Sequence, residues 1–167
     1  SARRSEGPMS DILTVTRLGA QGDGIAETPD GPVFVPFALP GETVRVARDG
    51  GQARLLDIVA ASPERVEPSC RHFTICGGCA LQHLAPEPYR AWKPGKVVQA
   101  LASRGIETAV EETIGVKPQT RRRAVFSAKA AAGAMLLGYM QAGSNAIVDL
   151  AECPVVVPEI AAALGRL

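Results

Sequence analysis

The stretch VFVPFALPGETVRV, residues 33–46, decides the fold class of this chain. Val33, Val35 and Phe37 sit at every second position, and Thr43–Val46 repeats that period, which is the side-chain alternation of a β-strand. Between them, Leu39-Pro40-Gly41 puts proline and glycine at the two central positions of a type II turn. The same grammar recurs on both sides. Ile12–Arg17 is strand-like, a glycine-rich stretch runs from Gly19 to Gly24, and Ile25–Glu27 follows. Asp30-Gly31 and Asp49-Gly50-Gly51 are hairpin signals, and Ala53–Ala60 reads as a last strand. About five short strands separated by Gly/Pro turns predict a small open barrel of the OB type. That architecture commonly binds oligonucleotides, although a purely structural barrel would have the same pattern.

Composition agrees with a globular protein whose core is aliphatic: 46% of the 167 residues are hydrophobic and only 4% aromatic. No apolar run is as long as a membrane span. Residues before Met9 are polar and basic, without the apolar centre of a secretory signal, and 1–10 is expected to be a disordered extension. The expected setting is therefore the reducing cytoplasm. Net charge is +1, unevenly spread. Residues 90–129 carry 9 basic and 3 acidic side chains, whereas residues 1–89 carry 8 and 11. A basic middle in a near-neutral chain points to a local anionic partner.

The four cysteines divide three to one: Cys70-x5-Cys76-Gly-Gly-Cys79, and then Cys153, which is followed by Pro154. In a reducing compartment this is a metal layout before it is a pair of disulfides. Four soft thiolates suit zinc or an iron–sulfur cluster. A structural zinc site usually presents two close pairs. A single CxxC with a remote fourth cysteine before proline leans toward a four-iron cluster, and unligated buried cysteines are the remaining alternative. The two glycines are expected to let the loop fold tightly enough for Cys76 and Cys79 to face one centre. His72 and His83 flank the loop as polar neighbours, since four thiolates complete the shell.

Ser62-Pro63 and Pro68 mark a boundary, so the barrel is expected over 11–62 and a second, metal-bearing domain over 63–167. Residues 87–104 read as a helix stopped at Gly105, with Tyr89, Trp92, Val97, Val98 and Leu101 toward one side and Pro94-Gly95 as a break. Strand patterns return at Ala124–Ala128, Met135–Met140 and Ala146–Leu150, and the last would deliver Cys153 to the cysteine loop. A helix starts at Pro158, and its abrupt end suggests a fragment. The candidate RNA contacts are Arg121, Arg122, Arg123, Phe126 and Lys129: arginine and lysine for phosphates, Phe126 for stacking on a base. On a strand Arg121 and Arg123 would share a face and Arg122 would take the other. A solvated strand start, and a core role for Phe126, are the plainer readings. No phosphate-binding loop or dinucleotide fingerprint is present.

Taken together, these motifs resemble a known family. The stretch from Thr14 through Gly19, Gly22 and Gly24 to Ala26 resembles the opening of a TRAM domain, an OB-like RNA-binding barrel. Cys70, Cys76, Cys79, Gln82 and His83, with Tyr89 and Lys93, resemble the cluster loop of bacterial RNA uracil-5-methyltransferases. Arg121–Ala124, and Ile147–Asp149 leading to Cys153-Pro154-Val155, resemble that family's central domain. The resemblance implies a mainly β, α+β chain, a TRAM barrel followed by a partial β-rich iron–sulfur domain with one or two helices. It further implies a 4Fe-4S cluster on Cys70, Cys76, Cys79 and Cys153, and ribosomal RNA as substrate. Family members add an S-adenosylmethionine-binding α/β domain that carries the cysteine nucleophile and the acidic base. This chain has neither and is expected to be a monomer without methyltransferase activity by itself. Pro94-Gly95 departs from the smooth helix the family would keep. The competing classes are a zinc-stabilised RNA-binding module and an electron-transfer iron–sulfur protein.

Overall fold

The computed structural model describes residues 10–131 and 133–164. All but the last residue of the expected N-terminal extension lies outside them, and Ser10 already belongs to a strand. The chain divides into two compact units: residues up to Val66 together with His83–Ala85, and Glu67–Gln82 together with the residues from Pro86 onward. The first unit thus reaches beyond residue 62 and takes back a three-residue segment from beyond the cysteine loop.

The first unit is one curled sheet of six strands, β1 (Ser10–Thr14), β2 (Arg17–Leu18), β3 (Gly24–Thr28), β4 (Gly31–Val35), β5 (Thr43–Asp49) and β6 (Gln52–Ala60), in the order β1-β5-β6-β4-β3-β2. One more strand forms than the five expected, because Ile12–Arg17 is not continuous. At Val15-Thr16 the chain changes partner. The Val15 N–H donates to the Glu42 carbonyl, and the next residue, Thr16, gives both its N–H and its hydroxyl to the Ile25 carbonyl. The two edge strands of the sheet are therefore consecutive in sequence, and the sheet curls round between them. β4 and β6 meet in parallel at Phe34 and Gln52, and every other pairing is antiparallel.

Alternation supplies the core. Val33 and Val35 point in, as do Val44 and Val46, and they join Val15, Ala38 and Ala53 in one buried cluster. Phe34 and Arg45 occupy the outward positions between them. The expected turn is present: Gly41 has φ 83°, and the Glu42 N–H donates to the Leu39 carbonyl. Its fourth residue holds an interaction that the alternation could not reveal. Glu42 is fully buried. Its carboxylate accepts from Arg65 Nε at 2.6 Å and Nη2 at 2.8 Å, and from the N–H groups of Leu39 and Ser62. Burial pushes this carboxyl up, but the Arg65 hydrogen bonds, the two backbone donors and the Arg65 charge outweigh it and hold it below its ordinary range. His83, also fully buried, packs edge-on against Phe37.

In the second unit, α1 spans Pro86–Ala102 without the break expected at Pro94-Gly95. Proline removes the bond its own N–H would have made and crowds the carbonyl four residues back, yet the helical backbone continues through it in a helix that buries no residue. The expected stop is realised as a Schellman cap: Gly105 has φ 73°, its N–H donates to Ala102 and that of Ile106 to Leu101. The hairpin β7 (Ser127–Ala131) and β8 (Ala134–Gly138) starts and ends slightly away from the expected strands. Residues 146–150 are no regular strand, yet they lie along β8 and its extension through hydrogen bonds between Gln141 and Ala146, Tyr139 and Val148, and Leu137 and Leu150. α2 (Pro158–Ala161) begins with proline as expected.

Two outcomes follow from the buried polar pair and its neighbour. Glu42→Ala should cost roughly 3–5 kcal/mol, because it strands the Arg65 guanidinium and two backbone donors, and urea unfolding followed by circular dichroism would read the loss. His83 is pushed down to about 4 by burial and then by the Arg65 charge, against the pull of Glu42. Between pH 6.5 and about 4 the unfolded chain therefore takes up a proton that the folded unit refuses. Stability should fall as pH drops through that window, by about 3 kcal/mol, with Glu42 adding its own loss only below pH 4.5. The same unfolding measurement on His83→Gln should lose most of the slope above pH 4.5.

Candidate functional site

Cys70, Cys76, Cys79 and Cys153 all line one cleft of the second unit, with about 320 Å³ of empty space including open solvent. All four are free thiols, each half-buried. Among the described residues no group of three or more His, Cys, Asp or Glu is placed so that it could hold a metal ion; what the four cysteines share is the lining of this cleft.

Three features of the chain bring them there. Within the loop, the Cys76 N–H donates to the His72 carbonyl at 2.8 Å and that of Phe73 to the Cys70 carbonyl. The loop is then laced to the chain beyond β8. Gly77 donates to the Met140 carbonyl, Ala142 donates to the Ile75 carbonyl, and Cys76 pairs with Gln141. The two glycines matter for close approach, and neither has positive φ. A Cβ on Gly77 would lie 2.9 Å from the Met140 carbonyl oxygen, and one on Gly78 would lie 3.1 Å from the Tyr139 ring. Finally, the remote cysteine is clasped to the local three. Arg71 gives its N–H and its Nη2 to the two oxygens of Glu152, at 3.2 and 3.0 Å, and the Ala151 N–H donates to His72 Nε2. Cys70-Arg71-His72 thus docks on Ala151-Glu152-Cys153, residue against residue.

The electrostatics suit anionic sulfur once a positive centre is present. Burial pushes the Cys70 and Cys76 thiols up, against backbone donors at His72 and Gly78. The Gly78 N–H lies 3.4 Å from the Cys76 sulfur. A bound metal reverses that balance and takes the sulfurs as thiolates. The donor set, the backbone N–H groups aimed at sulfur and the shared cleft all fit a thiolate-bound group.

The basic candidates are placed less uniformly. Arg121, Arg122 and Arg123 are all exposed, but they precede the β7 strand, which starts only at Ser127. The strand alternation expected for them therefore does not apply. Arg121 is held by a parallel bridge to Val156, and its side chain hydrogen-bonds Tyr139. Phe126 is half-buried with its ring 4.9 Å from that of Tyr139. Lys129 is exposed on β7. Tyr139 therefore links the cysteine cleft, which it lines, to Arg121 and Phe126. Burial, aided by the nearby Cys153, pushes its phenol up against the Arg121 hydrogen bond. Nothing in the sequence around Gly138-Tyr139-Met140 marks this residue out. His83 belongs to the first unit.

Residues 13–47 match the TRAM domain model. The chain is 53% identical over 155 residues to an uncharacterised RNA methyltransferase of Brucella suis, covering 93% of this chain and 37% of that protein. It is 52% identical over 159 residues to a similar protein of Mesorhizobium japonicum, covering 95% and 38%. It is 35% identical over 175 aligned residues to the 23S rRNA (uracil(1939)-C(5))-methyltransferase RlmD of Chromohalobacter salexigens, covering all of this chain and 37% of that enzyme. The chain thus spans under two-fifths of the length of these relatives. The TRAM match covers β1's end to the middle of β5, and no helix among the described residues is long and apolar enough to cross a membrane.

Gly138 offers a direct check of the delivery of Cys153. A Cβ there would run into the Val148 carbonyl and the Leu150 side chain. Gly138→Ala should therefore push the 146–150 segment away and lower the thermal midpoint by several degrees, a loss of roughly 2 kcal/mol or more. Calorimetry would read it, and an unchanged midpoint would show that the close approach is not needed.

Proposed function

We propose that this chain is the RNA-holding, cluster-bearing portion of a ribosomal RNA uracil-C5 methyltransferase. The observation that carries the reading is the meeting of four cysteines, three local and one remote, round one cleft whose wall, Tyr139, holds the first of three exposed arginines. The similarity to proteins named RNA methyltransferases and the TRAM domain support the substrate class. Cys70, Cys76, Cys79 and Cys153 would hold a 4Fe-4S cluster. When bound, that group supplies a rigid cross-link between distant chain segments, and methyl transfer to an activated uracil needs no electron from it. The three-to-one division of the cysteines, with Pro154 after the remote one, supports a cluster over zinc.

The chain's own residues then have distinct tasks. Arg122 and Arg123, exposed and without structural partners in the hydrogen bonds described, contact phosphates. Arg121 is committed to Tyr139 and positions the wall. Phe126, packed on Tyr139, supports that wall more than it stacks on a base. Lys129 adds a further phosphate contact. With all four cysteines used as ligands, no thiol remains to attack uracil. S-adenosylmethionine and the nucleophile belong, in this reading, to the further length that the relatives possess. A base must leave its stack to be methylated at carbon, and the task assigned here is to grip the RNA around it.

Anaerobically purified protein should contain about four iron and four sulfide per chain, and Cys153→Ser should lose most of both. Zinc without iron or sulfide would replace the cluster by a zinc site. Arg122→Ser with Arg123→Ser should weaken binding of a ribosomal RNA hairpin and lower the salt slope by about 1.4 to 1.8. An unchanged slope in fluorescence anisotropy would remove these two arginines from the RNA contact.

A further inference from the structure

α1 carries a feature that the cluster and the arginines leave unused. The helix buries no residue, yet it presents two large aromatic rings. Tyr89 and Trp92 are stacked, with centroids 6.4 Å apart and planes 22° from parallel. Lys93 Nζ sits 4.9 Å from the Tyr89 ring centre and 5.8 Å from that of Trp92, and Lys96 Nζ sits 5.2 Å from Trp92. Positions 89, 92, 93 and 96 are spaced by three, four and seven, so they share one face of a helix. Three basic and one acidic side chain give residues 86–102 a net positive charge. A core-facing stripe would be apolar and covered, whereas this one is aromatic and cationic: Lys93 is exposed, Tyr89, Trp92 and Lys96 are half-buried, and the Trp92 Nε1 edge is turned out of solvent.

We infer that the Tyr89–Trp92–Lys93–Lys96 face of α1 is a stacking platform for single-stranded RNA, separate from the arginine contacts at 121–123. The inference rests on the RNA-binding reading above and adds a site to it. An aromatic pair accepts any base, because every base has a π-face, and flanking lysines take the phosphates on either side. The ammonium groups now resting on the rings swing to the phosphates when a base takes their place. Charge decides against an apolar protein segment as occupant, since such a segment would have to desolvate two lysines without pairing them.

Trp92 is the only tryptophan of the chain, so its fluorescence reports on this face alone. The full cluster-loaded chain should be titrated with a short single-stranded oligoribonucleotide carrying a fluorescein label. Binding is followed by the label's anisotropy and, in parallel with unlabelled RNA, by Trp92 emission. The expected result is saturable quenching with the same midpoint as the anisotropy. Trp92→Ala, in which a better helix former keeps α1 intact, should weaken binding roughly tenfold or more. Lys93→Gln with Lys96→Gln keeps the fluorophore and should lower the salt slope by about 1.4. Binding that leaves Trp92 emission and both variants unchanged overturns the platform and leaves the RNA-binding reading standing. Absence of any anisotropy change overturns both.

Discussion

The second unit is organised by a backbone approach that admits no side chain. Residues 137–142 are bonded on one side by the cysteine loop and on the other by the segment 146–150. Gly77 and Gly78 face the first contact, and Gly138 faces the second. Both contacts are main-chain hydrogen bonds at close range, so a methyl group at Gly77 or Gly138 would meet a backbone carbonyl, while one at Gly78 would press on the Tyr139 ring. This constraint carries one short stretch of chain past three sulfurs and then returns it with the fourth. The Arg71–Glu152 and His72–Ala151 contacts complete the return. They are exposed and individually weak. Their value is in register, because they align two triplets so that Cys70 and Cys153 face the same cleft.

The first unit is built on a different economy of residues. Its core is almost wholly Val and Ala, which pack a tightly curled sheet where larger rings would not fit. Small residues leave little room for polar groups, yet Glu42 is placed inside and is fully satisfied by four donors. Replacing such a pair by apolar residues is often tolerated, whereas removing one member is not. The pair ties the turn after Ala38 to Ser62 and Arg65, and so fixes where the sheet ends and the boundary segment begins.

Function in this reading divides among surfaces rather than concentrating in a catalytic cluster. What the chain offers is cations and rings on exposed backbone, and sulfurs gathered in a cleft. Tyr139 joins the two, since its ring lines the cleft while its hydroxyl takes the Arg121 hydrogen bond. A change in the cleft would therefore be felt at the basic stretch through one side chain.

Much of this was legible from local pattern. The alternation of 33–46, the Leu39-Pro40-Gly41 turn and the Gly105 stop are local rules, satisfied within a few residues, and the chain obeys them. The Cys spacing suggested a shared site from residue type alone, and the fold does bring all four cysteines to line one cleft. Long-range geometry was not legible. The change of partner at Val15-Thr16 depends on which strands curl past each other. The continuation of α1 through Pro94 is not written in the local sequence, which reads as a break there. The arginines at 121–123 were read by strand alternation, but the strand starts later because β8 pairs only from Ser127 onward. Glu42 looked like any turn residue, and Tyr139 like any strand residue. Their roles arise from residues well outside the local pattern, Ser62 and Arg65 for Glu42 and Phe126 and Arg121 for Tyr139, and only folding brings those groups together.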